Sequence, residues 1–152
     1  MKRHDGLVPL SREHHDGLLL AVRLQQGTKA LERLWSHDPV WQAAEVVRFF
    51  DAHLAEHFRT EEEELFTVAA PLAGMADVVR VLVEEHAQLR ALAETFRSGG
   101  ASASSLVRFG EILERHIRSE ERVLFPACEE HLSSEELARL GSIIGQRHGG
   151  TP

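Results

Sequence analysis

The chain has one cysteine, Cys128, and no tyrosine. A lone cysteine excludes an internal disulfide framework and fits a reducing compartment, so a cytoplasmic protein is expected. The lack of tyrosine excludes any redox role that needs a tyrosyl group beside the site. Long apolar runs are missing too: the longest, Leu18 to Val22, falls far short of the ~20 residues that cross a bilayer. The opening Met1-Lys2-Arg3-His4-Asp5-Gly6 is charged but leads into no apolar segment, so neither signal peptide nor membrane span is expected. Basic excess is absent as well. A net charge of -7, with acids spread along helical faces, argues against a nucleic-acid or anionic-membrane surface.

Strand patterning is also absent. No segment alternates apolar and polar residues with period two, and Gly and Pro fall where they bound four long helical patterns and a short fifth. The first helix is expected from about Ser11, read as its cap, to about Gln26, with a continuation past Gly27 toward Trp35. Asp38-Pro39 reads as a helix start, cap followed by Pro in the first turn, and the pattern runs to about Thr67 before Pro71 and Gly74 break it. The third helix spans roughly Ala76 to Arg97, with Val79, Leu82, His86, Leu89, Ala93 and Phe96 on one face, and Gly99-Gly100 suits its C-cap. The fourth runs from about Ser104 to Pro126, where a kink or break is expected because proline cannot donate a backbone hydrogen bond. Ser133-x-x-Glu136 reads as a capping box opening a short helix over about 133–145, and the tail from Gly145 is expected to fray. These 152 residues are one domain's worth, with a core of about 9–130. The economical architecture is all-α: an up-down-up-down antiparallel four-helix bundle with a short C-terminal fifth helix.

Against this ordinary composition, ten histidines stand out. His116-Ile117-Arg118-Ser119-Glu120-Glu121-Arg122-Val123-Leu124-Phe125 places His116 and Glu120 one helical turn apart, on the stripe that carries Phe109, Ile112, Leu113 and Leu124. An imidazole and a carboxylate therefore point into the core. A buried carboxylate must neutralise, pair, or bind a metal. His57-Phe58-Arg59-Thr60-Glu61-Glu62-Glu63-Glu64-Leu65-Phe66 repeats His-x-x-x-Glu-Glu-x-x-Leu-Phe in the same register, on a stripe with Val46 and Phe50. Each copy is preceded by an acid and a histidine on another helix, Glu13-His14 and Glu85-His86. Antiparallel order brings these positions to one level, as a pseudo-two-fold site.

Four imidazoles and two carboxylates form a mixed nitrogen and oxygen set, suited to iron, manganese or zinc. Two half-sites point to two metals, each taking two histidines, with the glutamates between them and coordination positions left open for a small molecule. The internal repeat favours His14 over the adjacent His15. His53 lies one turn before His57 and is expected to face inward with Phe50, as a seventh ligand, a hydrogen-bond partner of a ligand, or a core histidine. Glu62 and Glu121 are within reach of a ligand from behind; otherwise they belong to a solvated face with Glu63 and Glu64. His4, His37, His131 and His148 read as surface residues, and Cys128 as inert packing.

The same residues resemble the hemerythrin-like, or HHE cation-binding, family from about Pro9 to Glu130. The likeness rests on Leu10-Ser11-Arg12-Glu13-His14-His15, His57-x-x-x-Glu61 with Leu65-Phe66, Glu85-His86 with Leu89, and His116-x-x-x-Glu120-Glu121 with Leu124-Phe125-Pro126. It implies a four-helix bundle around two iron ions, carboxylate-bridged and with an oxo or hydroxo bridge, held by His14, His57, Glu61, His86, His116 and Glu120. It further implies binding or sensing of dioxygen, peroxide, nitric oxide or iron. Oxygen-carrying hemerythrins have an additional histidine ligand and an Asp in the last motif at a different spacing, so the resemblance is to the broader HHE group. Ferritin-like Glu-x-x-His motifs are absent from the second and fourth helices, and no His-Glu-x-x-His hydrolase motif or glycine-rich phosphate loop appears. The alternatives are a di-iron enzyme that reduces peroxide or nitric oxide or assists iron-sulfur repair, and a metal-free helical interaction module.

Overall fold

A computed structural model of the protein describes residues 2–26 and 35–148. All regular structure among them is helical, with no strand. Helix α1 (Val8–Gln26) starts before the expected Ser11: the Ser11 N–H already donates to the Leu7 carbonyl at 3.1 Å, so this serine lies inside the helix and caps nothing. The expected continuation of α1 over residues 27–34 lies outside the described residues. Helix α2 covers 39–69. Asp38 caps it through the Val40 N–H, and Pro39 sits in its first turn, where a missing N–H costs nothing. Helix α3 (Ala76–Arg97) is closed two residues on by Gly99, whose φ of 85° only glycine adopts readily. Helix α4 covers 103–131, opened by a reciprocal Ser102–Ser105 cap. Helix α5 (Ser134–Arg147) opens with the expected Ser133–Glu136 box and runs past Ile144, so Gly145 to Arg147 are helical where fraying was expected.

Two of these helices are not uniform. In α2 the ladder widens to π-helical turns at Phe50–Leu54 and Glu61–Leu65, and in α4 at Glu120–Leu124. Single π turns inside α-helices often mark functional sites. Here two of the three begin on the glutamate of a His-x-x-x-Glu motif. The π turn Glu120–Leu124 also explains why Pro126 does not break α4. Proline lacks the N–H that would reach back to the preceding turn, but it falls just past the wide turn, and the Glu121 carbonyl accepts from the Arg3 guanidinium at 2.9 Å instead.

The apolar residues form two clusters separated by a polar layer. One holds Leu20 and Leu24 of α1, Phe50 and Phe58 of α2, Leu89 and Phe96 of α3, and Phe109 and Ile117 of α4. The other holds Leu7 and Leu10, Leu65 and Phe66, Val79 and Leu82, Leu124 and Phe125, closed by Leu137, Leu140 and Ile144 of α5. On each of the first four helices the switch from one cluster to the other occurs at the histidine and glutamate positions. Helix α1 packs closely along α4. At Gly110 a β-carbon would stand 2.8 Å from the Ala21 carbonyl oxygen and 3.0 Å from the Leu24 β-carbon, so the two backbones approach across a residue that has no side chain. No helix among the described residues is long and apolar enough to cross a membrane.

Candidate metal centre

The polar layer is made by the six residues that the repeat singles out. His14, His57, Glu61, His86, His116 and Glu120 are all buried, the glutamates and His86 and His116 completely. His15 is exposed, as the repeat favoured. His53 is exposed as well, against expectation: the π turn Phe50–Leu54 rotates it off the inner stripe, where it packs on Phe49.

All four imidazoles turn Nε2 inward. His14 Nε2 lies 3.1 Å from His57 Nε2, and His86 Nε2 lies 3.0 Å from His116 Nε2. Glu61 spans the two pairs, with Oε2 3.1 Å from His57 and Oε1 3.1 Å from His86. Glu120 Oε1 lies 3.0 Å from His116 and 3.4 Å from His14. The donor atoms of His14, His57, Glu61 and Glu120, and those of Glu61, His86 and His116, each fall within 4.8 Å of one another. Phe58 and Phe66 stack on His86, and Phe125 stacks on His14, which walls the layer with aromatic surface.

Each Nδ1 faces outward to a carboxylate, and the four carboxylates run round the helices in order. Glu13 of α1 faces His57 of α2 at 3.5 Å, and Glu62 of α2 faces His86 of α3 at 2.8 Å. Glu85 of α3 faces His116 of α4 at 3.1 Å, and Glu121 of α4 faces His14 of α1 at 2.9 Å. An Nδ1–H given to a carboxylate fixes the tautomer that leaves Nε2 free to ligate and makes it more basic. Three of these acids are anchored from outside by arginine: Glu62 by Arg90, Glu85 by Arg115 and Glu121 by Arg3. The reach of Glu62 and Glu121 follows from the doubled glutamate in each motif. The parts of Glu13 and Glu85 were signalled only by the repeated Glu-His pair.

The buried acids and imidazoles of the layer shift one another's protonation. Burial by itself pushes the His57 imidazole down, but the Glu61 charge, supported by Glu13, outweighs it and raises His57 to about 9. His14 and His116 are likewise raised well above the ordinary imidazole value, Glu120 overcoming the effect of burial in both. Burial would raise the Glu61 carboxyl, yet the His57 charge and neighbouring hydrogen bonds hold it well below the usual carboxylate range. Glu62 is held at about 2 against its burial by His86 and Arg90.

The donor set fits metal ions. Two nitrogens each about 2.1 Å from a metal, at 90–110°, stand ~3.0–3.4 Å apart, which is the spacing of the two imidazole pairs. Both Glu120 oxygens and Glu61 Oε2 are buried and receive no protein hydrogen bond among the described residues. Buried polar atoms are nearly always satisfied, so three carboxylate oxygens without an aligned hydrogen bond, facing four inward imidazoles, are compatible with a cation-binding site. A cavity of about 10 Å³ adjoins the layer beside His14, His57 and His116, walled by Gly17, Phe58 and Leu113. That is about the room one water molecule needs.

None of the curated proteins and none of the solved structures compared with the chain matches it. The family model described as Hemerythrin HHE cation binding domain matches residues 6–128, which takes in all six inner residues and all four outer carboxylates. The chain belongs to the hemerythrin HHE cation-binding domain family.

Proposed function

We propose that the protein holds a non-haem di-iron centre, with His14, His57, Glu61, His86, His116 and Glu120 as ligands, and that it binds or senses dioxygen or a related small oxidant such as peroxide or nitric oxide. The observation that carries this reading is the pair of wholly buried carboxylates, with three unbonded oxygens, set among four inward Nε2 atoms. His14 and His57 would hold one ion, His86 and His116 the other, and Glu61 and Glu120 would lie between them. Two divalent ions bring +4 against -2 on the glutamates, which offsets the cost of burying the acids. The absence of thiolate donors favours iron, manganese or zinc over copper(I).

When bound, the ions would supply open coordination positions and redox capacity for a small oxidant. The chain's own part is to orient. The outer carboxylates fix the imidazoles, and the Phe58, Phe66 and Phe125 rings limit the space to small molecules, in keeping with a cavity of about 10 Å³. The scaffold is read as an up-down-up-down bundle, because the apolar cluster that follows the site residues in α1 and α3 precedes them in α2 and α4. A cytoplasmic setting is favoured by the single free cysteine.

Protein loaded anaerobically with ferrous iron and then exposed to air tests this. The expected result is two irons per chain and a ligand-to-iron charge-transfer band in the near ultraviolet. Fewer than about one iron per chain, given that structural sites of this kind bind tightly, together with no band, would contradict it.

A further inference from the structure

The four outer carboxylates are not equivalent. In the second half of the chain the residue before His116 is Arg115, and it donates to Glu85 Oε2 at 2.8 Å while His116 takes Oε1. In the first half the residue before His57 is Glu56, which has no proton to give. The side chains that stand there come from the end of α5 and the residue after it, beyond the residues matched by the family model. Arg147 comes within 3.7 Å of Glu56 and also pairs with Glu63 and Glu64. His148 places Nδ1 2.8 Å from Glu13 Oε1 and shares a hydrogen bond with the Thr60 hydroxyl through Nε2 at 2.8 Å. It is not the surface residue expected from its place near the end of the sequence: its side chain is 10% exposed.

The consequence falls on His57. Arg115 and His116 use separate oxygens of Glu85, and Arg3 and His14 separate oxygens of Glu121. His148 and His57 instead face the same oxygen of Glu13, at 2.8 and 3.5 Å. That oxygen is aligned for a hydrogen bond with neither ring, and His57 Nδ1 is the one outward imidazole nitrogen of the four that has no hydrogen-bond partner among the described residues. His57 also borders both the small cavity and, through Glu13 and His53, a surface cleft of about 440 Å³ whose far wall is Arg147 and His148.

We infer that His148 is a positioning residue for the metal centre: it competes with His57 for the one Glu13 oxygen that both rings face, and so leaves His57 the weakest-held of the four imidazole ligands, on the side toward the cleft. This rests on the metal-binding reading above. The device would keep one imidazole labile on the cleft side while the other three stay fixed, which suits a centre that must admit a metal ion or a small ligand.

The sign of the expected effect separates this from a packing role. Removing a contact that merely packs α5 weakens or leaves unchanged the binding of metal. His148→Ala should instead free Glu13 for His57 and raise equilibrium metal affinity, read by competition with a chelator, by about tenfold, the lower end of what an outer hydrogen bond to a ligand is worth. His148→Gln, which keeps an N–H near Glu13, should behave as the unaltered protein. In a Glu13→Gln background His148→Ala should change nothing, because its effect runs through Glu13. Proton NMR of metal-free protein supplies a readout that needs no metal: a protected downfield Nδ1–H signal from His57 should appear in His148→Ala and be absent from the unaltered protein. Unchanged or lowered affinity without the new signal overturns the inference. If the unaltered protein binds no metal, the reading of the centre fails, and the NMR contrast still decides whether His148 controls Glu13.

Discussion

Glu61 and Glu120 themselves have no exposed surface, and a lone carboxylate there would cost several kcal/mol. Without metal, protons on the raised imidazoles supply the positive charge, and a dependence on pH follows. A histidine raised from 6.5 to about 9 on folding, as His57 is, stabilises the fold fully below 6.5 and loses that contribution as pH climbs toward 9. Glu61, lowered from 4.5, stabilises above 4.5 and loses its contribution as pH falls. Metal-free protein should therefore melt highest between these two limits, and its Tm should drop steadily from pH 6.5 to 9. With metal bound, the same rise in pH should leave Tm level or raise it, because deprotonated imidazole is the form that ligates. Thermal melts in chelator and in metal across that range check both halves. Behind the ligands, Glu62→Ala should keep the fold but weaken metal binding about 10- to 100-fold, since His86 loses the acid that orients it; a chelator titration reads this directly. All six inner residues were legible in the sequence, because the duplicated His-x-x-x-Glu and the paired Glu-His each leave a pattern. His53 and His148 were misread, one as inward-facing and the other as a surface residue, since a π turn and a contact spanning more than a hundred residues leave no local trace.

At the scale of elements, helix termini were legible wherever a side chain sets them. Asp38, Ser133 and Gly99 act as their residue types predict. The start of α1 was not, because residues before Ser11 join the helix through packing rather than through a cap. Nor was the passage of α4 through Pro126, which depends on the π turn before it and on Arg3 reaching in from the other end of the chain. The α1–α4 contact is an extensive one among the described residues. Gly110→Ala would push a methyl against the Ala21 carbonyl, a backbone atom that cannot swing away, and should destabilise the protein by ~1–3 kcal/mol. Denaturant unfolding of metal-free protein measures it; an unchanged midpoint would mean that the two helices have room to part. Such an approach cannot be read from a glycine in a helical run, which by itself signals only lower helix propensity.

For the molecule as a whole, two apolar clusters clamp a charged layer, and in the proposed reading bound metal would turn that layer from a liability into a staple. A ligand bound only to the folded state raises its stability by mass action, about 2.7 kcal/mol at a hundredfold excess over Kd. Adding ferrous iron or zinc under anaerobic conditions should thus raise Tm by several degrees, and a chelator should reverse it; a melting curve indifferent to both would favour a plain helical scaffold. The direct test is anomalous diffraction at the iron edge from crystals of the iron-loaded protein. Two iron peaks should lie between Glu61 and Glu120, one against the Nε2 atoms of His14 and His57 and the other against those of His86 and His116. A layer with no peak, or iron found elsewhere on the molecule, would contradict the claim that these six side chains converge to hold two metal ions.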